Sequence, residues 1–220
     1  MEILEGMKTR QSTRGFKPEP VPKEVMKKIV EAASHSPSYT NTQPWEVVVV
    51  SGNKKDELKQ KLLGLAKGKA PTYPDLPKPK PWPKGMGERA GEHGARRLTT
   101  LGIARDDEAE RDKLALMNFE FYGAPCAVFL FTEGSVGEWS IFDMGLFTQS
   151  LILAAHALGV GSCLQASVTN YAPEIKQALE VPDDKKLVLC IAMGYPDEKA
   201  KLNAYRSIKQ NPDAFTKWRE

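Results

Sequence analysis

Three short runs of apolar residues constrain the fold most: Trp45–Val50, Cys126–Phe131 and Lys186–Met193. They are rich in Val, Leu, Ile and Phe and too short for core helices, and the first ends in the turn-former pair Ser51-Gly52. Runs of this kind read as strands buried in the core. Between them the apolar spacing becomes helical. Ile3, Leu4 and Met7 mark a short first helix; Met26, Ile29, Val30 and Ala33 mark a second, opened by Pro22 and closed near Ser36-Pro37. Leu58, Leu62 and Leu65 share one face of a third over Lys54–Leu65, and Leu114–Tyr122 and Pro173–Leu179 also read as helices. The longest apolar pattern is broken by Asp143, Thr148, Gln149, Ser150 and His156. It is therefore a buried core helix, from about Trp139 to Leu158, rather than a membrane span. Gly159 stands where a C-terminal cap belongs. Gly161–Val168 reads as a short strand or a loop.

This order of elements predicts an α+β chain, a three-layer α/β/α sandwich with helices on both faces of a sheet. Strand order is not written in the pattern. A chain of 220 residues suits a single domain, 1–220. Six prolines between Pro71 and Pro83 exclude helix and central strand there. They belong to a lid-like insertion at about 68–110, and a polar C-terminal extension runs over about 197–220.

At 41% hydrophobic and 27% charged the chain has the composition of a soluble globular protein, and its net charge of +3 argues for neither nucleic acid nor a membrane as partner. Cys126, Cys163 and Cys190 are odd in number, lie in or beside apolar runs and form no CxxC pair. They read as free buried thiols of a reducing compartment, and MEILEGMKTR lacks the apolar stretch of a signal peptide, so the expected location is cytoplasmic.

Dinucleotide, P-loop and Gly-x-Ser-x-Gly signatures are absent. His35, His93 and His156 show no metal-ligand spacing with the cysteines, so no metal site is expected, and His156 reads as a satisfied core residue. An organic cofactor is then the natural carrier of any chemistry.

Two motifs stand out. Arg10-Gln11-Ser12-Thr13-Arg14 places two guanidiniums and a hydroxyl within five residues, and in an extended segment residues 10, 12 and 14 point the same way. That set suits one phosphate, although a solvated basic turn has the same composition. Pro37-Ser38-Tyr39-Thr40-Asn41-Thr42-Gln43-Pro44-Trp45 packs small polar side chains between two prolines ahead of a strand. It could present hydroxyls and amides to a heterocycle, or be an ordinary connection.

In this order the two motifs resemble the nitroreductase family of flavoenzymes. Ala-Leu-Gly-Val-Gly-Ser-Cys at 157–163, Met-Gly-Tyr-Pro at 193–196 and Arg206 extend the resemblance to most of the chain outside about 68–110. It implies the nitroreductase-type sandwich as an intertwined homodimer, with FMN at the subunit interface. Arg10, Gln11, Ser12 and Arg14 would serve the phosphate and the pyrimidine edge of the flavin, and Arg206 would close on the phosphate. Pro37, Ser38, Tyr39 and Asn41 would come from the partner subunit, and Leu164, Gln165, Ala166 and Ser167 would lie along the isoalloxazine. The implied activity is a ping-pong reduction of nitroaromatic or quinone-type acceptors by NAD(P)H, in which the flavin carries the hydride and no catalytic side chain is expected. A reductive dehalogenase, a flavin-fragmenting enzyme and a flavin-binding protein with incidental reductase activity remain open beside it. Lys78, Lys80, Lys84, Arg89, Arg96, Arg97 and Arg105 make the insertion basic, which suits an anionic aromatic acceptor and equally a solvated loop.

Overall fold

The computed structural model describes residues 1–79 and 81–220. Lys80, counted among the basic residues of the insertion, lies outside them. Four strands, β1 (Glu46–Ser51), β2 (Cys126–Glu133), β3 (Gly161–Leu164) and β4 (Lys185–Gly194), form one antiparallel sheet in the order β1-β2-β4-β3. β3 settles 161–168 in favour of a short strand. Successive side chains of β2 enter opposite cores, as the pleat requires. Ala127, Phe129 and Phe131 join Leu187, Cys190 and Ala192 on one face, while Cys126, Val128 and Leu130 join Ile191 and Met193 on the other.

Seven helices accompany the sheet among the described residues: α1 (Ile3–Thr9), α2 (Lys23–Ser34), α3 (Gly52–Lys67), α4 (Lys84–Leu101), α5 (Glu108–Leu116), α6 (Glu138–Ala157) and α7 (Ala172–Leu179). α2 and α6 fill one core with Met26, Ile29, Met144, Phe147 and Leu151; α3 and α7 fill the other with Leu58, Leu62 and Ile175. Helices therefore cover both faces, which is why the strand runs are apolar throughout. The mixed helix-and-sheet fold expected from the sequence is present.

One expectation needs correction, and the insertion carries elements that the sequence reading did not assign. The insertion is helical over α4 and α5, and Leu114–Tyr122 is not one helix: α5 starts earlier, capped where Asp107 accepts the Glu110 N–H at 3.0 Å, and ends at Leu116. Phe121 and Tyr122 beyond it take φ of 53°, which turns both rings inward to 0% and 5% exposure. α4 escaped notice because Gly85, Gly87, Gly91 and Gly94 lie inside it, and each glycine costs a helix about 1 kcal/mol relative to alanine. It stops where Gly102 takes φ of 72° and the Ile103 N–H reaches back to Leu98 O at 3.0 Å.

Candidate active site

The site grows from the end of α1. After Thr9 the chain becomes extended, and Ser12 forms a bridge to Ser162 at the start of β3, where the Thr13 N–H donates to Ser162 O at 2.9 Å. This close approach depends on glycine, because a Cβ at Gly161 would stand 2.5 Å from Thr13 Oγ1. The Ala-Leu-Gly-Val-Gly-Ser-Cys motif thus has a local meaning. Gly159, at φ of 75°, ends α6, and Gly161 admits the N-terminal segment.

The tail closes on the same segment through Asn203. Its Oδ1 accepts the Arg14 N–H at 2.6 Å, and its Nδ2 donates to Gly15 O at 2.8 Å and to Asp197 O at 2.9 Å. Three residues on, Arg206 Nη1 donates to Thr9 O at 3.4 Å. A cavity of about 640 Å³ opens here, lined by Lys8, Arg10, Ser12, Arg14, Leu164 and Arg206 among others. Residues 10, 12 and 14 share this wall, as extended backbone predicts, and Gln11 lines it beside them. A smaller cavity of about 270 Å³ adjoins it across Arg10, Gln11 and Arg206, and takes in Thr13 and His156.

Electrostatically the site is basic. Burial lowers the pKa of the Arg10 guanidinium from its ordinary value. Burial likewise raises the Cys163 thiol, against the pull of Arg14, Arg97 and Arg10, and pushes Cys126 up to about 11. These buried thiols are therefore protonated at neutral pH and poor nucleophiles. Gln11 Oε1 and Arg14 Nε are buried without a hydrogen-bond partner among the described residues.

Of the expected residues, Arg10, Gln11, Ser12, Arg14, Leu164 and Arg206 converge within one chain. Gln165 is wholly buried, and its Nε2 donates to Asn118 O at 2.7 Å, so its side chain serves the core and leaves its backbone beside Leu164. Ala166 is exposed and Ser167 partly so. Pro37, Ser38, Tyr39 and Asn41 line neither cavity, and Tyr39 lies over the first turns of α6. The Tyr39 N–H donates to Asp143 Oδ2 at 3.0 Å, and its ring stacks on Trp139 with centroids 5.7 Å apart. His156, at the other end of α6, is no core residue: it is half-buried, with Nε2 2.8 Å from Thr9 Oγ1.

Sequence reasoning missed Asn203, Tyr205 and His93. Tyr205 is 7% exposed, and its OH lies 3.0 Å from His93 Nδ1 on α4. No local pattern marks them; only the return of the tail to the N-terminal segment brings them in.

A basic cleft at the seam of the N-terminal segment, β3 and the tail, set in a mixed helix-and-sheet fold, has the charge and size to suit a phosphate-bearing ligand. The nitroreductase family profile matches residues 7–195, and the chain belongs to that family. Nitroreductase NfnB of Mycolicibacterium smegmatis is 37% identical over 201 residues, 91% of this chain and 85% of that protein. The 4-nitrobenzoate reductase of Pseudomonas putida is 31% identical over 208 residues, 94% of this chain and 91% of that one. The crystal structure of the FMN-dependent nitroreductase NfnB from Mycobacterium smegmatis in complex with NADPH superposes with a TM-score of 0.93 at 33% identity, covering 99% of this chain and 97% of that one.

Proposed function

We propose that this chain is an FMN-dependent oxidoreductase that takes hydride from NAD(P)H and reduces nitroaromatic or quinone-type acceptors in a ping-pong cycle. The observation that carries this is the convergence of Arg10, Ser12, Arg14 and Arg206 on one cavity of about 640 Å³. The residues fit the flavin. Buried polar atoms are normally hydrogen-bonded, so the orphaned Gln11 Oε1 and Arg14 Nε mark a wall built for a polar group. Arg10, Ser12 and Arg206 would hold the phosphate, Gln11 and Arg14 the pyrimidine edge, and the backbone of residues 164–167 the isoalloxazine. Bound FMN supplies the hydride chemistry. The chain's own residues position and neutralise charge, and no side chain acts as a nucleophile.

The site is shared by two chains of a homodimer with the three-layer α/β/α arrangement, each chain one domain over 1–220. Asp143 and His156 mark the two motif-bearing ends of α6, about 20 Å apart along its axis at about 1.5 Å per residue. Phe142, Gly145 and Gln149 are exposed on this helix, and Ile3, Leu4 and Met7 on α1 are 72%, 69% and 54% exposed. An apolar face of this kind calls for a partner. A two-fold axis through the exposed face of α6 sets the two helices antiparallel. It carries residues 37–41 of one chain to residues 10–14 of the other. Three free buried cysteines suit a cytoplasmic location, and no helix among the described residues is long and apolar enough to cross a membrane.

The purified protein is expected to be yellow and, on denaturation, to release FMN rather than FAD, identified by absorbance and mass. A colourless protein that fails to take up added FMN overturns the proposal.

A further inference from the structure

The tail supplies Tyr205, Arg206, Ser207 and Lys209 to the wall of the large cavity. A seam with the N-terminal segment holds it there. The Lys17 N–H donates to Tyr195 O at 2.9 Å, Phe16 forms a bridge to Pro196, and the Asp197 N–H donates to Gly15 O at 3.0 Å. The tail then turns through Ala200 into a short 3-10 stretch, Lys201–Asn203. This turn lies directly on Gly15, where a Cβ would run into the Cβ of Ala200.

Asn203 closes the seam. Its Oδ1 accepts the Arg14 N–H, and its Nδ2 donates to both Gly15 O and Asp197 O. One acceptor and two donors in a plane are all that the amide has, and no other side chain of this length offers the set. Past these bonds the links from tail to N-terminal segment are long: Gln11 Nε2 to Asn203 O at 3.5 Å and Arg206 Nη1 to Thr9 O at 3.4 Å. The short bonds between the two segments therefore end at Asn203, three residues before Arg206. On the other side of the seam Asn203 grips the peptide of Arg14, whose buried Nε is left without a partner, as is Gln11 Oε1. A site of this kind works only when the groups behind it hold its side chains to a fraction of an ångström.

We propose that Asn203 is a positioning residue of the flavin site, one amide that sets Arg14 against the pyrimidine edge and Arg206 against the phosphate. This rests on the flavin assignment made above. Asn203 lines neither cavity and acts through the residues it holds. A cation placed at the pyrimidine edge favours the reduced, more negatively charged flavin, and one placed at the phosphate favours FMN over riboflavin.

The test starts from the flavin-loaded protein. It is diluted serially and released flavin is read by its fluorescence, once with FMN and once with riboflavin in its place; the potential of bound FMN is measured against a redox dye. Asn203→Ala, Arg206→Ala, their double variant and Asn211→Ala are compared with wild type, each well below its Tm. In Asn203→Ala the Kd for FMN should rise about tenfold or more, and that for riboflavin less, because riboflavin has no phosphate for Arg206 to reach. The potential should fall by about 15–30 mV, which is a grip weakened about three- to tenfold more for reduced than for oxidised flavin. The double variant should lose far less than the product of the two single losses, since the residues act as a unit. Asn211 Oδ1 accepts the Asp213 N–H at 3.1 Å farther along the tail, and Asn211→Ala should match wild type. A lower Tm in Asn203→Ala with unchanged affinities and potential gives the amide a structural role alone and overturns the proposal. Losses that multiply in the double variant overturn it too, as does an equal loss in Asn211→Ala. If Asn203→Ala does not fold, Gly15→Ala tests the seam from its other side. That variant should show the same split between FMN and riboflavin, with Ala200→Gly restoring it; wild-type flavin binding in Gly15→Ala overturns the proposal. A wild type that retains neither flavin overturns the flavin assignment and this inference together, whereas equal retention of FMN by wild type and Asn203→Ala overturns this inference alone.

Discussion

Thr9 shows how much one residue at the end of a helix can connect. Its hydroxyl donates to Glu5 O at 2.8 Å, so its oxygen must accept from His156 Nε2, also at 2.8 Å. That fixes the tautomer of a neutral His156 and leaves Nδ1 bare beside Arg10 and Arg206. Burial first, then the charges of Arg10 and Arg206, lower the pKa of His156; burial, then Arg14, Arg97 and Lys209, do the same for His93. A lowered folded-state pKa means that the unfolded chain binds more protons as pH falls. The stability that both rings contribute is complete above their ordinary value of 6.5 and is lost as pH drops through the lowered values. The Tm of the cofactor-free protein should therefore fall between about pH 7 and about pH 5, and fall less in a His93→Gln, His156→Gln double variant. The same slope in both proteins would remove the imidazoles from the account. Neither role was legible in the sequence. A histidine in an apolar helix and one in a charged insertion look the same whatever the tail does, and their environments come from residues such as Thr9 and Tyr205 far away in the chain.

The proline-rich segment was legible as irregular, because proline removes donors wherever it stands. Its anchoring was not. The Tyr73 N–H donates to Asn170 O at 2.7 Å, and Asp75 Oδ2 accepts the Leu187 N–H of β4 at 2.7 Å. Asp75 Oδ1 lies 3.4 Å from Lys176 Nζ, which also donates to Asp183 O at 3.0 Å and Lys185 O at 3.1 Å. Lys176 is only 6% exposed. The first half of the insertion is thus pinned to α7 and β4, and α4 and α5 follow from a fixed point. Asp75→Ala leaves a buried ammonium without its carboxylate and should cost about 2–3 kcal/mol in urea unfolding. Asp75→Asn, which can still accept from the Leu187 N–H, should cost less. A loss below about 0.5 kcal/mol, the scale of an exposed pair, would show that the latch is solvated. α4 itself was hidden by its glycines: a helix whose own propensity is poor forms where packing supplies the difference.

At the scale of the whole molecule, the two sequence motifs lie at opposite ends of α6, and the proposed homodimer is the arrangement that would bring both to one flavin. The proposal can be tested by complementation. Arg10→Ala and Asn41→Ala should each be impaired. Unfolded, mixed and refolded together, they give heterodimers with one doubly altered site and one site that has wild-type Arg10 and Asn41 from different chains. Such heterodimers should show about half the wild-type activity if the sites act independently. Mass-confirmed heterodimers no more active than their parents would place Arg10 and Asn41 in one chain's site or remove Asn41 from the site. Phe215 and Trp218, 70% and 81% exposed on the tail, belong to the same question, since aromatics left open on one chain await cover from another.

The sequence by itself determined the elements whose signals are local. β1, β2 and β4 follow from apolar density, α2, α3, α6 and α7 from helical spacing, and the orientation of Arg10, Ser12 and Arg14 from the two-residue repeat of extended backbone. The tertiary structure alone decided the order β1-β2-β4-β3, the helices within the insertion and the closure of the tail. Asn203 meets Arg14 across 189 residues, and Tyr205 meets His93 across 112. Periodicity is a property of neighbours along the chain. A site assembled from both ends of the chain depends on which surfaces bury one another, and that is settled only when the cores close.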